Sequence, residues 1–339
     1  MSQRPRVGAI RWDAWHGDRG GPGRAVQRSL GPREWHARLP FYARVLGDDR
    51  VEIDGSRQEV TDREIEYARR GGLDHWAFLA YEPDDPMSLG LKRYLASPKR
   101  DRLRFCLATE LGRWGSATFR DHVAAMLAEK GYVTVAGGRP LLYLGFLSDE
   151  TVRKGWGGAD GLRAALSDFR KRAAKAGSGD PYLVILDFDP AQGQKWAALL
   201  GADAISSYAT EGGGKDAPYA ALAAHAEAFW ERCKATGAQV VPIAMTGWDR
   251  RPRVDRPVPW ETWQEPGVGR DRFYRTPTPA ELAAHVGKAV RWIERNPDHA
   301  GAGVVLTYAW NENDEGGWLV PTLSEGTARL DALAKALAS

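Results

Sequence analysis

The sequence predicts a single (β/α)8 barrel over residues 1–339, with long loops after the first and seventh strands. Short apolar runs alternate with longer amphipathic segments eight times, and this alternation is typical of α/β proteins. The short runs are almost continuously apolar, as in parallel strands that are covered on both faces. Eight such units in 339 residues fit a barrel, which needs about 250 residues plus its insertions.

Each predicted strand is a short apolar run bounded by polar residues or glycine. The sixth run, AISSY, is the least apolar of the eight. In chain order the predicted strands are Val7–Trp12, Trp76–Tyr81, Leu103–Thr109, Pro140–Phe146, Tyr182–Phe188, Ala204–Tyr208, Gln239–Met245 and Gly303–Trp310.

The predicted helices are recognised by their apolar spacing and their end signals. In the first helix Ile65 and Ala68 lie three residues apart, and Gly71 ends it. Thr278 and Pro279 form an N-cap and first-turn pair for the seventh helix, and Ser324 is the expected N-cap of the eighth. In chain order the predicted helices are Asp62–Gly71, Leu91–Leu95, Phe119–Lys130, Gly161–Ala176, Ala191–Leu200, Tyr219–Ala235, Ala280–Arg295 and Ser324–Ala338.

An open doubly wound sheet is the alternative architecture. That fold usually carries a glycine-rich phosphate-binding turn after its first strand. Here Gly8 opens no GxGxxG pattern, and Gly212–Gly214 does not lead directly into a helix. The missing pattern favours the barrel.

Composition excludes several classes of protein. A net charge of +3 over 339 residues does not indicate the basic surface of a dedicated nucleic-acid-binding protein. No run approaches the ~18 to 20 apolar residues that span a bilayer. The segment Met1–Arg6 lacks a signal-peptide core, so we expect a cytoplasmic protein, with a secreted protein whose leader has been removed as the alternative. Cys106 and Cys233 are expected to be reduced core thiols, and no motif indicates a cofactor or a metal.

The chain contains 14 Trp, and most of them have polar neighbours or glycine beside them. Large rings in such surroundings indicate a partly hydrated cleft wall, where sugar rings stack on indole faces. Core positions near loop ends would explain a single tryptophan equally well. The residues in question are Trp12, Trp15, Trp35, Trp248, Trp260, Trp263, Trp310 and Trp318.

In a (β/α)8 barrel the functional residues lie where the strands end. The predicted strand ends carry carboxylates and aromatic rings, a mixture that suits glycoside chemistry. We therefore expect a carbohydrate substrate. The predicted substrate-binding residues are Trp12, Asp13, Trp15, Tyr81, Glu82, Glu110, Asp187, Tyr208, Trp248, Asp249, Trp310, Asn311 and Trp318.

The segment after the eighth strand holds the densest set of acidic groups. Glu312 and Glu315 lie three residues apart, with Asp314 between them. Crowding and burial raise carboxyl pKa values, so one group could stay protonated as an acid while the other is ionised. An acidic helix N-terminus is the alternative, but it leaves the neighbouring Trp310 and Trp318 unexplained.

Two weaker patterns remain open. Asp187 and Asp189 are two residues apart on a strand and therefore point the same way, which suits hydroxyl binding or a strand-end ion pair. The basic residues Arg250, Arg251 and Arg253 could bind a sugar or an acidic group, or form ion pairs within a solvated loop.

The segment Trp310–Gly316 resembles the WNEWxEG motif of glycoside hydrolase family 99 and its WbsX-like relatives. Four other stretches resemble the same group in the same order: VGAIRWDAWHG, EIEYARRGGLDHWAFLAY, FCLATE and TGWDRRPR. The resemblance thus covers nearly the whole chain. It implies a (β/α)8 barrel and says little about which sugar is bound.

The resemblance implies a retaining, metal-free endo-α-mannosidase or mannanase. In that family one glutamate deprotonates the sugar 2-hydroxyl, which attacks C1 and forms a 1,2-anhydro sugar. The second glutamate protonates the leaving oxygen and then activates water. Matched by motif, Glu312 assists the 2-hydroxyl and Glu315 is the acid/base.

The chain departs from the family motif at three points. Asn313 replaces its second Trp, Asp314 adds a charge, and the family's aromatic-Leu-Glu-Pro is here Trp-Leu-Val-Pro, ending at Pro321. Two other functions therefore stay open. One is a glycosyltransferase associated with polysaccharide synthesis, although no nucleotide-diphosphate motif is evident beyond Asp187 and Asp189. The other is a carbohydrate-binding barrel that has lost its chemistry.

Overall fold

The computed structural model describes residues 4–338 and contains eight parallel strands, as the sequence predicts. Hydrogen bonds join the strands in the order β7-β8-β1-β2-β3-β4-β5-β6. Their bounds are β1 Arg6–Arg11, β2 His75–Leu79, β3 Arg104–Glu110, β4 Arg139–Gly145, β5 Tyr182–Leu186, β6 Ala204–Ser206, β7 Ile243–Met245 and β8 Val304–Tyr308. The fold class is therefore confirmed as a (β/α)8 barrel.

The barrel closes between β6 and the residues just before β7. The Ile205 N–H donates to the Gln239 carbonyl at 2.9 Å, and the Val241 N–H donates to the Ile205 carbonyl at 3.0 Å. Pro242 then interrupts the ladder because it has no N–H to donate. This interruption explains why one predicted strand, Gln239–Met245, is observed as an isolated bridge followed by β7.

Eleven helices of the described chain connect and surround the strands. They are α1 Gly21–Ser29, α2 Gln58–Arg70, α3 Leu89–Ala96, α4 Ala117–Leu127, α5 Asp149–Trp156, α6 Ala159–Lys175, α7 Pro190–Leu200, α8 Tyr219–Ala235, α9 Arg251–Asp255, α10 Pro279–Arg295 and α11 Ala328–Ala338. Thr278 and Glu281 form a complete capping box at the start of α10, so the predicted N-cap is confirmed.

The prediction that Ser324 is the N-cap of the last helix is wrong. Helix α11 begins at Ala328, because Thr322 and Gly326 first exchange backbone hydrogen bonds and form a turn. The Ser324 hydroxyl instead donates to the Ala37 carbonyl at 2.6 Å and ties this turn to the loop after β1.

The loop after β1 has structure of its own. It contains α1, and a small antiparallel hairpin pairs Ala43–Gly47 with Arg50–Ile53. The long loop after β7 contains only the short helix α9. Both loops start at the carboxyl end of the barrel, the end that carries the functional residues of such folds.

The core fills the barrel and the layer between strands and helices. Cys106 and Cys233 are both buried and free, as expected. Within residues 4–338 no helix is long and apolar enough to span a membrane.

Candidate active site

A cavity of about 1110 Å³ opens at the carboxyl end of the barrel. Seven of the predicted site residues form part of its wall: Trp12, Tyr81, Glu110, Tyr208, Trp248, Glu312 and Glu315. They come from strand ends and loops that are far apart in sequence. Parallel strands of a barrel bring such ends together, so one cavity collects them.

Glu312 and Glu315 sit on a tight turn directly after β8. Residues Asn311–Glu312 pair antiparallel with Gly317–Trp318, and a single 3-10 turn lies between the two segments. Both glutamate side chains are almost fully buried, although both reach the cavity wall. The turn therefore presents two carboxyl groups to one enclosed space.

Gly316 allows this turn to pack against the loop after β7. Its φ is +86°, and a Cβ here would lie 2.5 Å from the Asp249 backbone nitrogen. That nitrogen donates to the Glu315 carbonyl at 2.7 Å. Only glycine combines this conformation with so close an approach, so the residue fixes the backbone that carries Glu315.

Arg253 joins the two glutamates. Its Nη1 lies 2.6 Å from Glu315 Oε1, and its Nη2 lies 3.4 Å from Glu312 Oε2. Asp314 holds the same guanidinium bidentately, at 2.7 Å to Nε and 3.1 Å to Nη2. Glu261 completes the set of partners at 3.1 Å from Nη1. The charge that departs from the family motif, Asp314, thus anchors a cation between the two carboxyl groups.

The two glutamates have opposite pKa shifts. Burial, reinforced by the nearby charge of Glu315, raises the pKa of Glu312 to about 8. Burial acts in the same direction on Glu315, but Arg253 and Arg250 outweigh it and lower the pKa of Glu315. At neutral pH the pair therefore holds one proton and one negative charge.

Two tyrosines complete the contacts of the pair. The Tyr208 hydroxyl donates to Glu312 Oε1 at 2.7 Å, and the Tyr308 hydroxyl donates to Glu315 Oε2. Burial beside these carboxyl groups raises the pKa of both tyrosines well above its usual range. They therefore act as neutral O–H donors.

Trp12 forms the wall next to this pair, and its neighbours fix its position. Asn311 accepts from the Trp12 backbone N–H at 2.9 Å and donates to its carbonyl at 2.6 Å. The indole Nε1–H donates to the Tyr81 hydroxyl at 2.9 Å, and Trp260 packs edge-on at 5.4 Å. Asn311 therefore acts through Trp12 and is itself buried.

A second charged group lies after β2 and β3. The Arg113 guanidinium pairs with Glu82 at 2.5 Å and approaches Glu110 at 3.5 Å. It also lies 4.2 Å from the centre of the Tyr81 ring. Burial raises the pKa of Glu110, with partial compensation by Arg113. Glu82 is thus ion-paired with Arg113, and Arg113 in turn forms part of the cavity wall.

Several predicted binding residues lie outside the cavity wall. Asp13 is buried against Arg11, and Asp249 pairs with Arg38 and Arg251. Asp187 accepts from the Asp189 backbone N–H at the end of β5. Three tryptophans are buried in the hydrophobic core: Trp15, Trp310 and Trp318. None of these six side chains is part of the cavity wall.

The wall also contains residues outside the list of predicted catalytic and substrate-binding residues. Four of them are among the weaker sequence candidates, Trp260 and Trp263 for a cleft wall and Arg250 and Arg253 for sugar binding. Arg113, Arg250, Arg253 and Glu261 contribute charge, and the exposed rings come from two sectors of the rim. Trp260 and Trp263 (40% and 66% exposed) lie on the loop after β7, and Phe146 and Phe188 (47% and 64%) follow β4 and β5. The position of Phe146 and Phe188 at strand ends could have indicated their place.

Similarity to known proteins was found in structure and not in sequence. No protein-family model matches the chain, and no curated protein matches it. A solved structure of the glycoside hydrolase family 99 endo-α-mannosidase from Bacteroides thetaiotaomicron, in complex with bis-tris propane, aligns with 99% of this chain and 97% of its own, at a TM-score of 0.57 and 13% identity. A second structure of that enzyme aligns with 99% and 98%, with the same TM-score and identity. The chain shares the fold of a family 99 endo-α-mannosidase.

The common fold agrees with the resemblance of the sequence motifs to family 99. The structural alignment covers nearly the full length of both chains. Among residues 4–338 no cluster of three or more His, Cys, Asp or Glu side chains is arranged to hold a metal ion. The arrangement that is present offers acid and base groups beside aromatic walls.

Proposed function

We propose that this protein is a glycoside hydrolase that cleaves an oligo- or polysaccharide, with Glu312 and Glu315 as its catalytic pair. One observation carries the proposal: two buried carboxyl groups with opposite pKa shifts share the wall of one cavity. Glycoside hydrolysis requires such a pair, one group to protonate the leaving oxygen and one to act as a carboxylate.

The cavity suits an oligosaccharide. Its volume of about 1110 Å³ exceeds the roughly 300–1,000 Å³ of typical small-ligand pockets. Exposed aromatic rings border it in two separate sectors of the barrel rim, and such rings are platforms for sugars. A chain of sugars can therefore contact both sectors while one glycosidic bond lies at the glutamates.

Retention of configuration through participation of the 2-hydroxyl is the mechanism that we propose from the family resemblance. In this scheme the 2-oxygen attacks C1 and water then opens the 1,2-anhydro sugar. It needs no covalent bond to the protein. A mechanism without a covalent bond to the protein suits Glu315, because three hydrogen-bond donors hold its carboxylate and restrict its movement.

The test is a digest of α- and β-linked oligosaccharides, mannosides included, read by mass spectrometry. We expect the wild type to cleave at least one class and Glu312→Gln/Glu315→Gln to cleave none. The matched control is Glu59→Gln/Glu150→Gln, two exposed glutamates on α2 and α5, which should cleave like the wild type.

Two results would contradict the proposal. Silence of the wild type across the panel, with retained sugar binding in the double variant, would identify a carbohydrate-binding barrel. Transfer of sugar from a nucleotide-sugar donor without hydrolysis would identify a transferase.

A further inference from the structure

The loop after β7 carries two exposed tryptophans on either side of a buried glutamate. Trp260 and Trp263 are exposed, whereas Glu261 between them is buried. All three residues belong to the cavity wall. Glu261 is also the only charged residue in the segment 259–264. A carboxylate can leave water only where cations or hydrogen-bond donors replace it, so the partners of Glu261 determine where this segment lies.

The backbone of segment 259–264 makes hydrogen bonds within its own loop. The Glu261 N–H donates to the Val258 carbonyl at 3.1 Å, and the Gln264 N–H donates to the Glu261 carbonyl at 2.9 Å. Across residues 4–338, no backbone hydrogen bond of this segment reaches another loop. Trp260 packs edge-on against Trp12. The Glu261 side chain therefore provides the ion-pair link between this segment and the rest of the site.

Glu261 binds two arginines, one through each carboxyl oxygen. Its Oε1 accepts from Arg253 Nη1 at 3.1 Å, and its Oε2 accepts from Arg250 Nη2. Arg250 also lies 4.8 Å from the centre of the Trp263 ring. Arg253 lies 5.6 Å from the centre of the Trp260 ring. Both distances allow cation–π attraction, so the carboxylate and the two rings are held by the same two cations.

The turn after β8 fixes these two arginines in its turn. Arg253 lies 2.6 Å from Glu315 Oε1, and Arg250 lies 3.2 Å from the same oxygen. Asp314 adds two further bonds to Arg253, at 2.7 and 3.1 Å. The position of Glu261 is therefore set relative to the carboxyl group of Glu315, through cations that both glutamates share.

We propose that Glu261 is a positioning residue that holds Trp260 and Trp263 in place as a platform for sugar rings beside the catalytic pair. The ligand of this platform is a sugar of the oligosaccharide, stacked by its C–H face on an exposed indole. The inference rests on the proposed function for this ligand, whereas the attachment of the two rings is a property of the free protein. A glutamate that only balanced the charge of the arginines would leave the rings in place when it is replaced.

Glu261→Gln separates these two roles. The variant keeps the shape of the side chain, but an amide has one acceptor oxygen, and its NH2 group faces an arginine that has only donors. It can therefore bind one of the two arginines and not both. The buried group is left with two cations and two carboxylates, so we expect the variant to fold. Glu265→Gln, the same substitution at an exposed position of the same loop, is the matched control.

The first experiment needs no substrate. The full chain is labelled with fluorotryptophan, and Trp260→Phe and Trp263→Phe assign two of its ¹⁹F NMR signals. In Glu261→Gln we expect both signals to narrow, because the two rings gain motion, while the signals of the buried tryptophans keep their widths. In Glu265→Gln all signals should match the wild type. Unchanged widths for both rings in Glu261→Gln would overturn the proposal.

Arg250→Lys is a second variant, and it keeps the charge of the buried group. A lysine lacks the planar fork of donors, so it cannot hold Glu261 and Glu315 as arginine does. We expect the Trp263 signal to narrow more than the Trp260 signal, because Arg253 still holds the other end of the segment. An unchanged Trp263 signal would contradict the proposal.

The second experiment measures KM and kcat on the oligosaccharide that the wild type cleaves. Glu261→Gln should raise KM about 3- to 10-fold and change kcat less than about threefold, because Arg253 keeps its bonds to the turn after β8. In the background Trp260→Ala/Trp263→Ala, the same substitution should change KM by less than about twofold, since residues that act through one another are not additive. Full additivity would mean that Glu261 acts independently of the rings, and it would overturn the proposal.

The failure of this inference and the failure of the proposed function are distinguishable. If the wild type cleaves no oligosaccharide, the proposed function fails. The widths of the ¹⁹F signals in the free protein still decide in that case whether Glu261 positions the two rings. If the wild type cleaves and the widths do not change in Glu261→Gln, the inference fails and the proposed function stands.

Discussion

Replacing Arg253 by Met should destabilise the protein more than replacing its partner Asp314 by Asn. Arg253 and Arg250 are the cations of a buried group that also contains Glu261, Asp314, Glu315 and the protonated Glu312. Two cations thus face three carboxylates. Arg253→Met leaves one cation against three carboxylates, and breaking a buried pair in this way typically costs about 3–5 kcal/mol.

Asp314→Asn has a smaller expected cost because it leaves two cations against two carboxylates. The free energy of unfolding should fall by what charge-assisted hydrogen bonds contribute, about 1.5–3 kcal/mol. Arg253→Met/Asp314→Leu leaves one cation against two carboxylates, the same excess of one negative charge as in the wild type, and should be more stable than Arg253→Met alone. Arg44→Met, at an exposed ion pair with Glu52, is the control and should cost at most about 1 kcal/mol.

The assay is urea unfolding monitored by tryptophan fluorescence, and the 14 Trp of the chain provide the signal. The reasoning requires Arg253→Met to be the least stable of the four variants. If it lost no more stability than Arg44→Met, or less than Asp314→Asn, the buried charge balance described above would be refuted.

Three further predictions concern pH, backbone and binding. Because its folded pKa of about 8 exceeds the ordinary value of about 4.3, Glu312 binds more protons when folded, so its contribution to stability should fall as pH rises between these values. Urea unfolding from pH 5 to 8 should show Glu312→Gln removing a slope of at most about 1.4 kcal/mol per pH unit. Gly316→Ala should lose at least about 1 kcal/mol in thermal unfolding because of its φ of +86°, whereas Gly115→Ala, with open space around it, should lose much less. Trp260→Ala should raise KM about 5- to 10-fold on the cleaved oligosaccharide with little change in kcat, as expected for a binding platform; an equal loss in kcat would contradict that role.

The barrel and part of its site could be predicted because both follow from local patterns. Continuous apolar runs define the strands. Because the strands of a closed barrel are parallel, their carboxyl ends lie together at one face. Trp12, Tyr81 and Tyr208 lie at such ends and reach the cavity. Pro242 was visible in the sequence, but only the closed barrel shows that it divides the seventh strand.

The direction of side chains beyond the strand ends could not be predicted. Alternation fixes which face a residue takes only while the strand continues. Trp310 follows β8, and its ring turns outward to Trp76, with its Nε1–H donating to Glu64 on α2 at 3.0 Å. Trp318 packs under Arg329 of α11. Contacts with the helix layer, distant in sequence, decide both positions.

Two of the three departures from the family motif have a common physical explanation. Asn313 donates to the Arg38 carbonyl at 2.7 Å, and Asp314 holds Arg253. Each residue therefore ties the turn after β8 to another loop, one after β1 and one after β7. Asp314 and Arg253 are 61 residues apart, so neither reveals the other's role in the sequence. Once paired, they place a buried cation beside the two glutamates, and this cation lowers the pKa of both. Asp314, which departs from the motif, is thus one half of a buried ion pair that contacts both glutamates.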